Sequence, residues 1–261
     1  MKKNVLLIIP AYNEEASLGT FIDSLYTENV HKYADILVID DHSFDKTAQI
    51  ALKKGVQVIS HPYNLGYGMA LQTGYKYAVS KGYDYVIQID ADGQHDARNV
   101  QRIYDTLHSS EKEDAPDIVI GSRFLDGSES FPVSFAKKAA ISFFRRFICL
   151  TTKQRITDPT SGLQGLRRNA FAYYARYENF DTNYPDANMI IQMSLVGYRI
   201  HEIPAIMHRR TSGKSMHFGV IEPILYMLIM LFSALNVYTR KKTHILSQKI
   251  PYEGDITYEK K

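Results

Sequence analysis

The strongest pattern in the chain is Tyr85-Val86-Ile87-Gln88-Ile89-Asp90-Ala91-Asp92, an apolar run that ends in two carboxylates separated by one residue. In an extended chain, residues i and i+2 point to the same side about 7 Å apart, so Asp90 and Asp92 should project together from a strand end. Carboxylates with an amide oxygen from Gln94 are ligands that Mg²⁺ or Mn²⁺ prefers. The stretch predicts a strand followed by a divalent-metal site. An exposed polar turn is the alternative for an isolated Asp-x-Asp.

Short runs rich in β-branched residues alternate with helix-like segments along the first half of the chain. The runs are residues 5–9, 36–39, 56–59, 85–89 and 118–120. Such alternation predicts an α/β fold with a mostly parallel, twisted sheet and helices on both faces. Three helices are expected between the runs, with apolar stripes at Leu18, Phe21, Ile22 and Leu25, over residues 45–54, and at Leu71, Tyr75, Ala78 and Val79. A further strand-like run covers residues 198–206.

Composition and length limit the classes of protein. A chain of 261 residues can form one large α/β domain with appendages. The net charge of +3, from 31 basic and 28 acidic residues, gives no nucleic-acid footprint. The single cysteine, Cys149, excludes an internal disulfide and fits a reducing compartment. The amino terminus has no secretory signal pattern, so a cytoplasmic start is expected.

Polar residues follow the first two predicted strands. Pro10, Ala11, Tyr12, Asn13 and Glu14 come after the first, and residues 40–43 come after the second. Ligands of open α/β sheets bind outside the carboxyl ends of the strands. Tyr12 could stack on a base while Asp41 accepts a ring N–H, which would select a uracil or guanine nucleotide. A packed aromatic and a capped helix start are the alternatives.

Seven segments carry a resemblance to a known family. They are residues 9–15, 38–43, 64–66, 90–95, 121–124, 158 with 161–162, and 209–215. In this order they resemble the family 2 glycosyltransferases, most closely the dolichyl- or polyprenyl-phosphate sugar synthases. The resemblance implies a GT-A fold and inverting transfer from a UDP- or GDP-sugar.

The resemblance also implies a set of site residues. The nucleoside would be held by Pro10, Ala11, Tyr12, Asn13, Glu14 and Asp41, the metal by Asp90, Asp92 and Gln94, and the diphosphate by Arg123 and Arg210. Lys214 would add a point charge. Metal and arginine together would neutralise the departing diphosphate.

Two carboxylates are the candidates for catalysis. Asp186 lies where the family carries its catalytic carboxylate, and Asp158 is a second candidate near the acceptor. This chain departs from the family there, because Ala187 and Asn188 follow Asp186 instead of a second carboxylate. A hydroxyl acceptor needs a base, whereas a phosphate acceptor is already an anion. Lipid phosphate is therefore the leading acceptor, and a growing glycan is the alternative.

Apolar segments with basic flanks indicate a membrane surface. The uncharged run 224–235 would be about 18 Å long as a helix, whereas a bilayer core needs roughly 30 Å. An interfacial or packing helix therefore fits better than a span. Residues 131–155 interleave aromatic and basic residues in the same way. We expect a catalytic domain at 1–217, this helix at 218–242 and a poorly ordered polar tail at 243–261.

The same pattern predicts how the protein is located. We expect peripheral association with the inner face of the cell membrane, through the membrane surface or a small membrane partner protein. Salt plus detergent should release the protein from membranes.

The motifs also bear on other classes of protein. A nicotinamide-dependent dehydrogenase needs Gly-x-Gly-x-x-Gly after the first strand, where this chain has residues 11–15, Ala-Tyr-Asn-Glu-Glu. A sugar nucleotidyltransferase needs a basic, glycine-rich loop there. A non-catalytic nucleotide-sugar-binding module stays open as an alternative.

Overall fold

The computed structural model describes residues 3–108, 115–131, 135–209, 221–243 and 246–251. Within these residues the strands are β1 (Val5–Ala11), β2 (Ala34–Asp40), β3 (Gln57–Ser60), β4 (Tyr85–Gln88), β5 (Ile118–Ser122), β6 (Gln164–Arg167) and β7 (Ile200–Pro204). The helices are α1 (Leu18–Thr27), α2 (Thr47–Lys53), α3 (Tyr67–Lys81), α4 (Arg98–His108), α5 (Phe135–Thr152), α6 (Arg168–Ala175), α7 (Ala187–Val196) and α8 (Ile221–Lys242). The predicted α/β class is confirmed.

The described strands form one sheet in the order β3-β2-β1-β4-β6-β5-β7. β1 runs parallel to both β2 and β4, and β5 runs parallel to β7. β6 is antiparallel to both of its neighbours. The sheet is therefore mostly parallel, as the alternating runs predict, with one reversed strand in its second half.

The core lies on both faces of the sheet. Leu6 and Ile8 of β1 belong to one apolar cluster, whereas Val5, Leu7 and Ile9 belong to the other. Both sets are fully buried. A continuous apolar run is what a central parallel strand covered by helices requires.

Most of the predicted helix stripes pack as expected. The four stripe residues predicted for α1 are its buried residues. On α3, Leu71, Tyr75 and Ala78 are buried, but Val79 is 37% exposed, so its place in the stripe was wrong.

Residues 246–251 of the carboxyl-terminal segment contact the rest of the chain. Lys249 Nζ lies 2.8 Å from Asp117 Oδ2, and the N–H of Ile250 donates to the Tyr198 hydroxyl at 3.0 Å. Leu246 and Ile250 also pack against the core. A buried carboxylate that attracts a lysine explains why this short stretch docks. Tail residues 244–245 and 252–261 lie outside the described part of the chain, and their order stays a prediction.

Helices α5 and α8 both reach the start of α7. Phe144 of α5, Ala187 of α7 and Met230 of α8 form a small buried cluster. Across the described residues, no helix combines the length and hydropathy that a bilayer crossing requires.

Candidate active site

The carboxyl ends of three neighbouring strands meet at one edge of the sheet. Ala11 at the end of β1 pairs with Asp40 at the end of β2, and the Asp41 N–H donates to the Ala11 carbonyl at 2.9 Å. On the other side of β1, the Ile89 N–H donates to the Ile8 carbonyl at 3.1 Å and so extends the β4 pairing toward Asp90. This register places the predicted nucleoside loops beside the predicted metal loop.

The loops that follow β1 and β2 are interlocked. Asn13 donates its N–H to Ser43 Oγ at 2.9 Å and accepts the Phe44 N–H on Oδ1 at 2.9 Å. Asn13 and His42 both have left-handed backbones, with φ of 54° and 63°. Such conformations are uncommon for residues other than glycine and concentrate at functional sites.

The predicted nucleoside residues differ in exposure. Pro10 and Ala11 are buried within β1, whereas Tyr12 is 42% exposed and Asn13 is exposed. Glu14 is half-buried and donates its N–H to Thr47 Oγ1 at 2.8 Å. Tyr12 is therefore available for stacking, while Pro10 and Ala11 could offer only backbone.

Asp41 is buried and holds the loop of residues 61–66. Its Oδ1 lies 2.7 Å from His61 Nδ1 and accepts the Leu65 N–H at 2.9 Å, and its Oδ2 accepts the Gly66 N–H at 2.7 Å. On its other side, His61 Nε2 lies 2.9 Å from Thr73 Oγ1. The structure thus gives Asp41 a loop-organising role that the sequence did not predict, and its contact with a base stays a prediction.

Asp90 and Asp92 lie just beyond β4. Asp90 Oδ1 accepts a hydrogen bond from the Tyr67 hydroxyl at 3.0 Å, and Asp90 Oδ2 lies 3.7 Å from His95 Nε2. Asp92 Oδ1 accepts the backbone N–H of Gln94 at 3.0 Å. The Asp90 carboxylate is 31% exposed, so a ligand can reach it.

This donor set fits a catalytic magnesium or manganese ion. Among the described residues, no three His, Cys, Asp or Glu side chains are grouped to enclose a metal. Mg²⁺ usually binds one or two protein carboxylates and takes its remaining oxygens from water and substrate phosphates. Two carboxylates and an amide at an accessible strand end match that pattern.

Tyr67 and His95 are neighbours of Asp90 that were given no role in the sequence prediction. Tyr67 directly follows the motif segment 64–66, and His95 ends the motif segment 90–95. Burial, with the nearby Asp90 charge, raises the pKa of Tyr67 well above its ordinary value. Its hydroxyl therefore remains a proton donor to the carboxylate. The signal that could have found it was its position directly after Asn64-Leu65-Gly66.

Arg123 and Asp158 bind each other. Arg123 Nε lies 2.6 Å from Asp158 Oδ2, and Nη2 lies 2.6 Å from Asp158 Oδ1. Both side chains are buried, at 9% and 0% exposure. Burial opposes the charge on the guanidinium, but Asp158 outweighs it and raises the pKa of Arg123. The carboxylates of Asp186 and Asp90 act in the same direction, which places both near Arg123.

Glu202 of β7 holds the loop that contains Asp158. Glu202 accepts the N–H groups of Thr157 and Asp158 at 2.7 and 2.8 Å. Burial raises the pKa of Glu202 despite these hydrogen bonds. Asp158 is thus held in a rigid ion pair with Arg123. This environment suits a residue that positions Arg123 better than a residue that transfers a proton.

Asp186 directly precedes α7. Its N–H donates to Asn188 Oδ1 at 2.9 Å, and Asn188 Nδ2 donates to Ser233 Oγ of α8 at 2.7 Å. The Asp186 charge also contributes to the raised pKa of Tyr67. The structure therefore brings Asp186 toward Asp90 and Arg123. Arg210 and Lys214 lie outside the described residues, and their diphosphate role stays a prediction.

The fold and this edge of the sheet can be compared with known proteins. The model of a family described as glycosyl transferase family 2 matches residues 6–174. The chain belongs to this family. The recognition drawn from the seven motif segments is thereby confirmed.

Relatives of this family 2 glycosyltransferase include enzymes named for lipid-phosphate acceptors. It is 30% identical over 185 residues to the UDP-N-acetylglucosamine–dolichyl-phosphate N-acetylglucosaminyltransferase of Methanococcus voltae, covering 64% of this chain and 71% of the relative. It is 27% identical over 223 residues to the undecaprenyl-phosphate mannosyltransferase of Micrococcus luteus, covering 83% and 88%. An uncharacterized protein of Methanocaldococcus jannaschii is 33% identical over 209 residues, covering 78% and 81%.

A solved structure supports the fold of this family 2 glycosyltransferase. Glucosyl-3-phosphoglycerate synthase from Mycobacterium tuberculosis, in complex with Mn²⁺ and UDP-glucose, superposes with a TM-score of 0.68 at 17% identity. The match covers 97% of this chain and 82% of that one. The predicted GT-A type fold is confirmed.

Proposed function

We propose that this protein transfers a sugar from a UDP- or GDP-sugar to polyprenyl phosphate at the cytoplasmic face of the membrane. The observation that carries the proposal is the placement of Asp90 and Asp92 beside the loops that follow β1 and β2. At that edge, the proposed nucleoside-binding loops and the proposed metal-binding carboxylates lie side by side. The names of the two lipid-phosphate transferases among the relatives support the acceptor.

The reaction needs charge neutralisation where the sugar leaves the diphosphate. A divalent ion held by Asp90, Asp92 and Gln94 would supply it when bound. Arg123 lies near Asp90, and the buried carboxylate of Asp158 fixes its planar fork. Preorganised cations of this kind stabilise charge that develops in the transition state. Arg210 and Lys214 are proposed to add to the same field.

The acceptor determines what Asp186 has to do. A phosphate acceptor is an anion and attacks without losing a proton, whereas a sugar hydroxyl must give its proton to a base. The position of Asp186 near Arg123 keeps transfer to a hydroxyl of a cell-surface glycan as the alternative function. Asp186→Asn separates the two, because it should abolish transfer to a hydroxyl and leave transfer to a phosphate less affected.

The proposed membrane face lies on α5 and α8. Large apolar side chains are exposed there, namely Phe143, Leu150, Leu228, Phe232, Leu235 and Tyr238. Arg240, Lys241 and Lys242 end α8, as attraction to an anionic leaflet requires. Both helices also pack on Ala187 next to Asp186. A lipid headgroup on this face would therefore lie close to the proposed acceptor site.

The experiment is a panel of labelled donors with two acceptors. UDP-glucose, UDP-N-acetylglucosamine and GDP-mannose are each incubated with Mn²⁺ and either polyprenyl phosphate or the matching polyprenol. One donor should label polyprenyl phosphate and not polyprenol, and Asp92→Ala should remove the labelling. Equal labelling by Asp92→Ala, or no transfer from a full panel of UDP- and GDP-sugars, would overturn the proposal.

A further inference from the structure

The Tyr67 hydroxyl, His95 and Gly162 all lie against the Asp90 carboxylate. The hydroxyl donates to Oδ1 at 3.0 Å, while His95 lies 3.7 Å from Oδ2. On the remaining side, a Cβ added to Gly162 would lie 2.6 Å from Asp90 Oδ2 and 3.2 Å from the Tyr67 hydroxyl oxygen. Of these, only the Tyr67 contact is a hydrogen bond.

The backbone on both sides of Tyr67 is fixed independently of Asp90. Gly66 has a φ of 92° and donates its N–H to the buried Asp41. Gly68 packs so closely on residue 182 that an added Cβ would lie 2.3 Å from the Thr182 carbonyl oxygen. Tyr67 therefore begins α3 directly after a rigid loop. The position of its hydroxyl is set by that loop and does not depend on Asp90.

We propose that Tyr67 is a positioning residue for Asp90 that sets the affinity of the site for a divalent cation. The inference rests on the proposed metal site. A phenol O–H orients a carboxylate but does not neutralise it, and the carboxylate keeps lone pairs for an ion. Partners that orient a metal ligand typically change affinity by about 10- to 100-fold when removed.

The chain offers a matched control on the same helix. The Tyr77 hydroxyl donates to Gln57 Oε1 at 2.6 Å on the protein surface. Tyr77→Phe removes the same oxygen atom from α3 as Tyr67→Phe does, but the hydrogen bond that it breaks goes to Gln57 and not to Asp90. Neither substitution adds volume, so both variants should fold.

The test measures Mn²⁺ binding to the full chain. The electron paramagnetic resonance signal reports the concentration of the free ion. Tyr67→Phe should weaken Mn²⁺ binding by about 10-fold or more, while Tyr77→Phe matches the wild type. Binding of UDP or GDP without metal should be the same in all three proteins. Unchanged Mn²⁺ affinity in Tyr67→Phe, or an equal loss of metal-free nucleotide binding, would overturn the inference.

The same titration separates this inference from the proposed function. A wild-type protein that binds no Mn²⁺, with or without nucleotide, overturns the proposed metal site and the role of Tyr67 with it. A wild type that binds Mn²⁺ as tightly as Tyr67→Phe does overturns only the role of Tyr67.

Discussion

Arg123 and Asp158 form a two-point ion pair beneath the site, with contacts of 2.6 Å from both Nε and Nη2. The guanidinium also donates to Thr160 Oγ1 at 2.8 Å. Since the pair is buried, each partner depends on the other for its charge to be tolerated. The position of the Arg123 guanidinium near Asp90 is therefore set by Asp158, which belongs to the 157–161 loop.

Asp158→Asn should destabilise the protein strongly, because it leaves a buried guanidinium without its counter-charge. The expected loss in unfolding free energy is about 3–5 kcal/mol, measured by denaturant titration. The control is Asp23→Asn, which breaks the exposed 2.6 Å contact between Lys54 and Asp23. That loss should be below about 1 kcal/mol. Similar losses in the two variants would contradict the role given to the buried pair.

Gly162→Ala should abolish activity while leaving the fold intact. The added Cβ would lie 2.6 Å from Asp90 Oδ2, so the carboxylate would have to move. Donor turnover and circular dichroism would be measured together. Gly19→Ala is the control, because the atom nearest to its added Cβ is Ile50 Cγ2 of α2 at 3.3 Å, which does not belong to the candidate site. Full activity in Gly162→Ala would show that Asp90 is not constrained in this way.

Leu150→Glu should weaken binding to vesicles that contain anionic lipid. Leu150 is 64% exposed on α5. A carboxylate there would be repelled by the anionic lipid, and the apolar contact between Leu150 and the membrane would be lost. Co-sedimentation at low and high salt measures the effect. Leu52→Glu changes a leucine of similar exposure, 62%, on α2. If both variants lose binding equally, the α5 and α8 face is not the docking surface.

The Asp96 carboxylate should contribute stability that depends on pH. Hydrogen bonds from Arg98, with a further contact from His208, hold the pKa of Asp96 well below its usual range. A lowered pKa in the folded state means that the ionised form stabilises the fold. The contribution is complete above the unfolded-state pKa of about 3.9 and declines as the pH falls toward the folded-state pKa.

Asp96→Asn tests this by comparison with the wild type across pH. The difference in unfolding free energy between the two proteins should be largest at neutral pH and should shrink steadily below about pH 4. Denaturant titrations over that range measure it. A difference that stays constant with pH would mean that Asp96 acts through packing and not through its charge.

The sequence predicted the first half of the fold well, because β1, β2 and β4 are apolar runs that end in polar loops. β6 was missed, since Gln164-Gly165-Leu166-Arg167 has neither alternation nor β-branched residues. Gly165 explains why: an added Cβ would lie 2.2 Å from Ile103 Cγ2 of α4, so the close packing of α4 requires glycine there. α4 lies where the alternating runs predict a helix-like segment, but the sequence prediction assigned no apolar stripe to it.

The candidate site was predicted as a set of residues but not as a set of contacts. The motifs named Asp41, Arg123 and Asp158 as members of one site. Their contact partners, however, come from distant segments of the chain. Asp41 contacts His61, and Arg123 contacts Asp158, across 20 and 35 positions of the chain. Pairings of this kind depend on tertiary packing, which local patterns do not contain.

The most direct measurement is transfer of labelled sugar to polyprenyl phosphate by the wild-type protein, with Mn²⁺ and after its removal by a chelator. The proposed function predicts a sugar-phosphate lipid that forms only with the metal and returns when Mn²⁺ is added back. Transfer that continues at the same rate in the chelator would contradict it.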